Sequence, residues 1–284
     1  MRNLALCWPN RFTEATVSQG SYESLFPPSN LYDPEPTAVA RTTDLLTTST
    51  WLRVTFPTPR TIRSIAPMNT NATRDCTFRV KAGTTAGASD LLDTGVLDLW
   101  RIPFDTWGIE WRSTGNWWDD APISTIYGAP WTPGLFLNED VTSKYWDLFF
   151  DDTANPDGYL QFGRLFMGPA LILEHGAEYN GRRPMKDFSS KAVLLNGGIV
   201  GRARRAARKE IFNLPLIWNG PEEYRVQEML RVSRTVNEVY YVPKFWDPAV
   251  LQYKGFVGTL DELSGMSAAT FRSQGMQLQI TESI

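Results

Sequence analysis

The chain has 284 residues, 42% of them hydrophobic, enough for one large or two ordinary domains with buried cores. Its formal net charge of −3 gives no global reason to bind nucleic acid, because that affinity rests on neutralising phosphates. No apolar run approaches the length of a bilayer span, and the N-terminal segment is interrupted at Pro9, too early for a signal peptide. We therefore expect a protein made in the cytoplasm, without a membrane span.

The first hundred residues alternate short β-forming runs with turn clusters. The runs lie at 4–8, 15–18, 38–41, 51–56, 64–69 and 77–82. Helical periodicity is missing from this half of the chain, and many short strands at roughly regular spacing predict an all-β sandwich or barrel. Cys7 and Cys76 could pair, but two cysteines do not suggest a disulfide-built fold, and a reducing cytoplasm favours free thiols that act as small core residues.

A second signal is the stretch at 144–168. Two strand-like runs, 145–150 and 159–167, flank a segment dense in turn formers that includes Asn155-Pro156-Asp157-Gly158. Proline fixes one φ, Asp bonds the local backbone and Gly accepts a positive φ. We predict a β-hairpin here, in which Asp151 and Asp152 are turn residues and not a catalytic pair.

These residues carry a resemblance. The order Asn30-Leu31-Tyr32-Asp33, then residues 51–56, Ile62-Arg63-Ser64-Ile65 and the closing strands at 142–170 resembles galactose-binding-like (discoidin-type) β-sandwiches. The segment at 158–169, Gly-Tyr-Leu-Gln-Phe-Gly-Arg-Leu-Phe-Met-Gly-Pro, is similar to tail proteins of long-tailed bacteriophages and prophages. The resemblance covers residues 15–100 and 142–170. No acidic calcium-loop cluster is evident where many relatives have one.

Residues 100–143 interrupt the strand pattern with six tryptophans, among many glycines and prolines. Long aromatic loops in compact domains are usually functional or interaction surfaces. We predict a partner or ligand contact that involves Trp107, Trp111, Trp117, Trp118, Asp119, Asp120 and Trp131. The alternatives are a small core beneath the insert and a glycan contact, because indole faces stack on sugars.

The character of the chain changes after Pro169. Residues 175–187 read as a linker that contains His175, the only histidine, for which we predict an ordinary surface position. Residues 188–284 predict a β-domain with one helix at 221–233 and strands at 239–242, 251–258 and 276–282, and Asn196-Gly197-Gly198 predicts a hairpin. This order resembles the tube-like domain of phage tail-tip rings.

A basic run, residues 202–209, follows that hairpin. As one strand it would place Arg202, Arg204 and Arg208 on one face and Arg205 on the other. Because aromatic residues are not interleaved with it, we predict a ring interface or tube wall that lets DNA pass without reading it, and specific nucleic-acid binding is the alternative.

Together these observations predict a mainly β protein in three parts: a galactose-binding-like sandwich at 1–174 with the insert at 100–143, a linker at 175–187 and a tube-like β-domain at 188–284. The resemblance implies a non-enzymatic virion component at the tail tip, a distal-tail or minor-tail protein. It would form a three- or six-fold ring between tail tube, hub and further baseplate proteins, with no cofactor. The first alternative is a carbohydrate-binding module for a host-surface glycan. A glycan hydrolase comes third: it needs two carboxyl groups a defined distance apart across a cleft, and catalysis is the less favoured interpretation of both Asp119-Asp120 and Asp151-Asp152. The single histidine separately disfavours triads and two-imidazole zinc sites.

Overall fold

The computed structural model describes residues 4–35, 37–100, 132–178, 181–193, 199–202, 204, 206–270 and 272–283. The strands are β1 Leu4–Cys7, β2 Thr16–Ser18, β3 Ala40–Arg41, β4 Trp51–Met68, β5 Thr77–Gly83, β6 Leu92–Asp93, β7 Leu97–Asp98, β8 Leu135–Asp151, β9 Gln161–Phe162, β10 Arg164–Gly168, β11 Ala170–Ile172, β12 Met185–Lys186, β13 Ser190–Val193, β14 Ile199–Arg202, β15 Ala207–Trp218, β16 Glu238–Pro243, β17 Phe256–Leu260, β18 Ser267–Thr270 and β19 Ser273–Glu282. The helices are α1 Pro221–Ser233 and α2 Pro248–Lys254, and Arg11–Glu14 and Pro28–Tyr32 form short 3-10 turns. The prediction of a mainly β protein is confirmed.

The first sheet, which we call the sandwich sheet, is antiparallel with the order β10-β4-β8-β5-β6, and β2 and β7 pair with β4 and β5. Alternate residues of β4, β5 and β8 point into one apolar core; Leu52, Val80 and Leu148 are examples. Trp146 is fully buried in this core, and its Nε1 donates to the carbonyl oxygen of Ser143 at 3.3 Å.

Strand β4 joins two runs that the sequence separates. The predicted strands 51–56 and 64–69 belong to one 18-residue strand whose register against β8 shifts between Thr55 and Arg60. Pro57 and Pro59 lie inside that shift, where a proline costs no ladder hydrogen bond. The prolines therefore mark an irregularity within a strand and not its end.

The predicted hairpin at 144–168 is wrong in its pairing. The turn is present, because Asn155 N–H donates to Asp152 O and Gly158 has a φ of +76°. However, β8 pairs with β4 and β5, whereas β10 pairs with the other side of β4. Local turn chemistry specifies a chain reversal, but it does not specify which strand the returning segment joins.

The second sheet, which we call the C-terminal sheet, has the order β11-β1-β16-β17-β19-β15-β12, with β18 beside β19. Strands β1 and β11 come from the predicted sandwich region, yet they pair with each other and β1 pairs with β16. Sheet hydrogen bonding thus crosses the predicted division at residue 174. Within the predicted linker, Arg182 bridges to Ile211 and β12 pairs with β15, so this segment runs along the sheet edge.

The helix at 221–233 is confirmed with its predicted bounds: Pro221 occupies the first turn together with Glu222 and Glu223, and Val226 and Met229 are buried. The prediction of only one helix in this region is wrong. Residues 248–254 form α2, so the predicted strand at 251–258 begins only at Phe256. Asp247 caps α2 by accepting from Val250 N–H at 3.1 Å, and Pro248 occupies its first turn.

The two sheets share a buried interface. Ala5 and Cys7 of β1 and Tyr240 of β16 pack against Ala66 of β4 and Phe166 of β10. Beside this cluster the buried pair Arg164–Glu238 joins β10 to β16 at 2.5 Å, and Asn10 Nδ2 donates to Glu238 Oε2 at 2.9 Å. An apolar cluster and a buried ion pair therefore connect the sandwich sheet to the C-terminal sheet. Among the described residues, neither helix is long and apolar enough to cross a membrane.

Candidate functional site

A projecting hairpin is the first candidate surface. Strands β13 and β14, which we call the arm, pair antiparallel from Ser190↔Arg202 to Val193↔Ile199, so the predicted hairpin is confirmed. The arm forms a separate two-stranded sheet, and Lys191, Val200 and Arg202 are exposed. Met185 and Phe188, which lead into it, are exposed by 63% and 39%. An isolated two-stranded hairpin is marginally stable in water, so the arm would gain order by packing on another surface.

The arm lies in a strongly basic segment. Residues 182–209 contain nine Lys or Arg and one Asp, a net charge of +8, whereas the whole chain carries −3. The rest of the chain therefore carries −11. Three of these cations are paired within the molecule, Arg183 with Glu210, Arg208 with Glu282 and Lys209 with Asp261. The other cations of the segment give it a basic surface, which favours attraction to acidic surfaces of other copies at low ionic strength.

The predicted arginine strip is not one strand. Strand β14 ends at Arg202 and β15 begins at Ala207, so no continuous strand relates Arg202, Arg204 and Arg208. Arg202 and Arg204 are exposed, and Arg205 lies outside the described residues. Arg208 instead pairs with Glu282 at 2.5 Å and donates to Tyr253 O at 3.2 Å. Within the described part of the strip, the basic surface consists of Arg202 and Arg204, and Arg208 ties β15 to β19.

The predicted tryptophan-rich contact falls largely outside the described residues, which omit 101–131. That range contains Trp107, Trp111, Trp117, Trp118, Asp119, Asp120 and Trp131. Trp100, the first indole of the insert, packs against the sandwich core, and its Nε1 donates to Ala72 O at 3.1 Å. Trp100 is thus part of the sandwich packing, and the alternative of a small core beneath the insert stays a prediction.

The sandwich sheet carries a hollow of about 230 Å³ on the face opposite its core. Strand pairing builds it: Thr77 lies opposite Asp151, Arg79 opposite Phe149, and Lys81 opposite Asp147. Because side chains alternate along a strand, Thr77, Arg79 and Lys81 point to the same face as Phe149 and Asp151. Val96, exposed by 67%, adds an apolar rim. Sequence analysis missed this site, because its residues are spread over four segments, around positions 47, 77–81, 96 and 149–151.

Aromatic and charged groups alternate in this hollow. The Phe149 ring stacks on Trp51 with centroids 5.3 Å apart, and Lys81 Nζ lies 5.5 Å from the Phe149 centroid. Arg79 forms a two-bond pair with Asp93, at 2.9 and 2.6 Å. The Arg79 guanidinium, together with the Gly95 N–H, lowers the pKa of Asp93 to about 2. Arg79 is thus neutralised locally. Among the described residues no carboxylate oxygen lies within ion-pair distance of Lys81, although its charge also helps to lower the pKa of Asp93.

A second hollow, of about 410 Å³, lies on the C-terminal sheet between Arg182 and Gln279. Its amides bond to neighbouring side chains: Gln277 Nε2 donates to Asn213 Oδ1 at 3.1 Å, and Asn213 Nδ2 donates to Glu178 Oε2 at 3.1 Å. Since these polar groups already have partners, this hollow offers less to a ligand than the one over Phe149.

The remaining titratable candidates have structural partners. Asp152 is buried and accepts from Thr73 N–H at 2.8 Å and Asn155 Nδ2 at 3.0 Å, as its predicted turn role requires. His175 is half-buried, and its Nδ1 accepts from Trp218 Nε1 at 3.1 Å. Cys7 and Cys76 are buried free thiols, as predicted, and burial raises the pKa of Cys7 to about 12. Within the described ranges, no group of three or more His, Cys, Asp or Glu side chains could hold a metal ion.

The sequence matches no protein-family model and no curated protein sequence. Solved structures with some similarity include carbohydrate-binding modules and lectins. The family 32 carbohydrate-binding module of Clostridium perfringens NanJ, in complex with galactose, is 13% identical with a TM-score of 0.38, covering 57% of this chain and 98% of that chain. The lectin binding domain of Lectinolysin, complexed with Lewis b, is 13% identical with a TM-score of 0.37, covering 58% and 98%. The fucolectin from striped bass (Morone saxatilis) serum is 11% identical with a TM-score of 0.36, covering 97% and 98%. These identities and TM-scores carry no residue role and no ligand over to this chain.

Proposed function

We propose that this protein is a non-enzymatic structural component of a virion, which assembles into a closed ring at the tail tip of a long-tailed bacteriophage. The observation that carries the assembly is the arm, an exposed hairpin whose strands pair with no other strand among the described residues. The resemblance of residues 158–169 to phage tail proteins supplies the setting. Tail tube, hub and further baseplate proteins would be its neighbours.

Charge supports a head-to-tail contact between copies. Each subunit would offer its basic arm segment to the acidic body of the next, and a repeated contact between two different surfaces closes into a ring when its rotation permits. The shared apolar interface and the Arg164–Glu238 pair hold the two large sheets together as one body. The arm extends from the edge of this body, beyond the β12–β15 pairing. Attraction of this kind weakens as salt is added, because exposed charges are screened.

The test is the mass of the purified full chain by analytical ultracentrifugation at low and high salt. We expect a ring that dissociates in high salt and that the double change Arg202→Glu with Arg204→Glu reduces to monomers. Arg225→Glu, on the exposed side of α1, is the matched control and should leave the ring intact. A monomer under all conditions, or a ring indifferent to the arm changes, would overturn the proposal.

A second candidate is recognition of a host-surface glycan by the sandwich, favoured by the aromatic hollow over Phe149. A glycan array that includes galactose and Lewis b ligands tests it on the full chain. Wild-type binding lost in the variant Trp117→Ala with Trp118→Ala would place the contact in the insert. An array without signal would remove this candidate and leave the ring proposal standing.

A further inference from the structure

The hollow on the sandwich sheet has the size and the chemistry of a site for one sugar ring. Its volume of about 230 Å³ is small beside the clefts that hold drug-sized ligands, which span ~300–1,000 Å³. An apolar floor and rim, from Phe149 and Val96, combine with a few polar groups at its edges, as in small-molecule sites.

The floor suits one face of a pyranose. Phe149 is half-buried and held in place by stacking on Trp51, so its ring loses little freedom when a ligand arrives. The C–H groups of a sugar carry partial positive charge and are attracted to the negative face of an aromatic ring. The exposed carboxylate of Asp151, opposite Thr77 at one edge, can accept hydrogen bonds from ring hydroxyls.

The charges select the class of sugar. Arg79 is committed to Asp93, and Arg53 is committed to Asp147. Lys81 lies opposite both carboxylates and helps to lower the pKa of Asp93, but among the described residues it makes no direct ion pair. Its ammonium lies over the Phe149 ring. A lone ammonium beside an apolar floor forms a strong, charge-assisted hydrogen bond with a ligand carboxylate. A ligand carboxylate would give that ammonium a direct hydrogen-bonded partner, which a neutral sugar does not supply.

We infer that this hollow binds an acidic sugar, a hexuronic-acid unit of a cell-surface polysaccharide, with its carboxylate on Lys81 and its C–H face on Phe149. This inference rests on the second candidate function and specifies its ligand and its site. It is independent of the ring and of the tryptophan-rich insert.

The test is isothermal titration calorimetry of the full chain with methyl β-D-glucuronide and methyl β-D-glucoside, which differ only in the carboxylate. We expect saturable binding of the glucuronide and at least ~10-fold weaker binding of the glucoside, from the loss of one charge-assisted bond. Lys81→Met keeps the side-chain stem and should reduce glucuronide affinity to that of the glucoside. Val96→Trp should block both sugars by filling the hollow.

Lys144→Met is the matched control, because Lys144 Nζ also lies 5.5 Å from an aromatic centroid, that of Tyr145, outside the hollow. It should bind the glucuronide as wild type does. Equal affinity for the two sugars, no binding of the glucuronide, or undiminished binding by Lys81→Met would overturn the inference. Array binding that depends on Trp117 and Trp118 but not on Lys81 or Val96 would overturn the hollow alone and keep the glycan function.

Discussion

Buried Arg164 and Glu238 illustrate how single residues hold the two sheets together. Their side chains are only 5% and 7% exposed, and Arg164 Nη1 also donates to Tyr32 O at 2.6 Å. Each charge is tolerated because the other is present, since an unpaired charge in this setting would lack both water and a counter-ion. Sequence reading did not single out either residue, because they are 74 positions apart in the chain.

We therefore expect Glu238→Gln to destabilise the protein by ~3–5 kcal/mol, because it leaves Arg164 buried without a counter-charge. Urea unfolding measures the change. Asp140→Asn is the control: Asp140 pairs with Arg63 at 3.3 Å but is 55% exposed, so its loss should cost less than ~1 kcal/mol. If both changes reduced the free energy of unfolding equally, burial would not be the reason that losing the Arg164–Glu238 pair is costly.

The carboxyl group of Asp93 should make the stability of the folded protein depend on pH in the acid range. Its pKa is about 2 in the folded protein, against an ordinary value of 3.8, because of Arg79 and the Gly95 N–H. A lowered folded pKa gives stability that is present above the ordinary value and is lost as the pH falls through the folded value. The stability difference between wild type and Asp93→Asn should therefore shrink between about pH 4 and pH 2. Thermal melting of both proteins across this range checks it, and parallel curves would contradict it.

At the scale of secondary-structure elements, the two helices show which helices local sequence signals can predict and which they miss. Helix α1 follows from Pro221 and two glutamates before an apolar stripe, signals that lie within one segment. Helix α2 spans seven residues, too few for a periodic pattern, and its Leu251 and Tyr253 resemble strand residues. Its start signal, Asp247 before Pro248, is nevertheless present in the sequence.

Removing that cap should weaken α2. Asp247→Ala leaves Val250 N–H without its acceptor and should cost ~1 kcal/mol, whereas Asp247→Ser keeps an N-cap oxygen and should cost less. Denaturant unfolding of the two variants measures the contrast. If serine and alanine are equally destabilising, the cap hydrogen bond is not the reason that α2 forms.

At the scale of the whole molecule, the shared interface makes the two sheets interdependent. Strand β1 lies between β11 and β16 while Ala5 and Cys7 face the sandwich, so neither sheet keeps its packing alone. Domains joined by small polar contacts usually melt separately, but a continuous apolar interface couples their unfolding.

We expect one calorimetric transition, with equal calorimetric and van't Hoff enthalpies for the dissociated protein in high salt. Leu6→Ala removes a fully buried side chain from β1 and should destabilise that whole transition by ~2–5 kcal/mol. Differential scanning calorimetry tests both points. Two resolved transitions, or a Leu6→Ala effect confined to one of them, would show that the sheets unfold independently.

The sequence by itself determined the β class, the bounds of α1, the arm hairpin and the free state of both cysteines. These features depend on period, turn chemistry and composition, which are properties of short segments. Tertiary structure alone decided that β1 joins the C-terminal sheet, that β4 separates β8 from β10, and that Lys81 meets Phe149 in one hollow. Strand partners are distant in sequence. A two-residue period of hydrophobic residues indicates that a segment forms a strand, but it does not indicate which strand pairs with it.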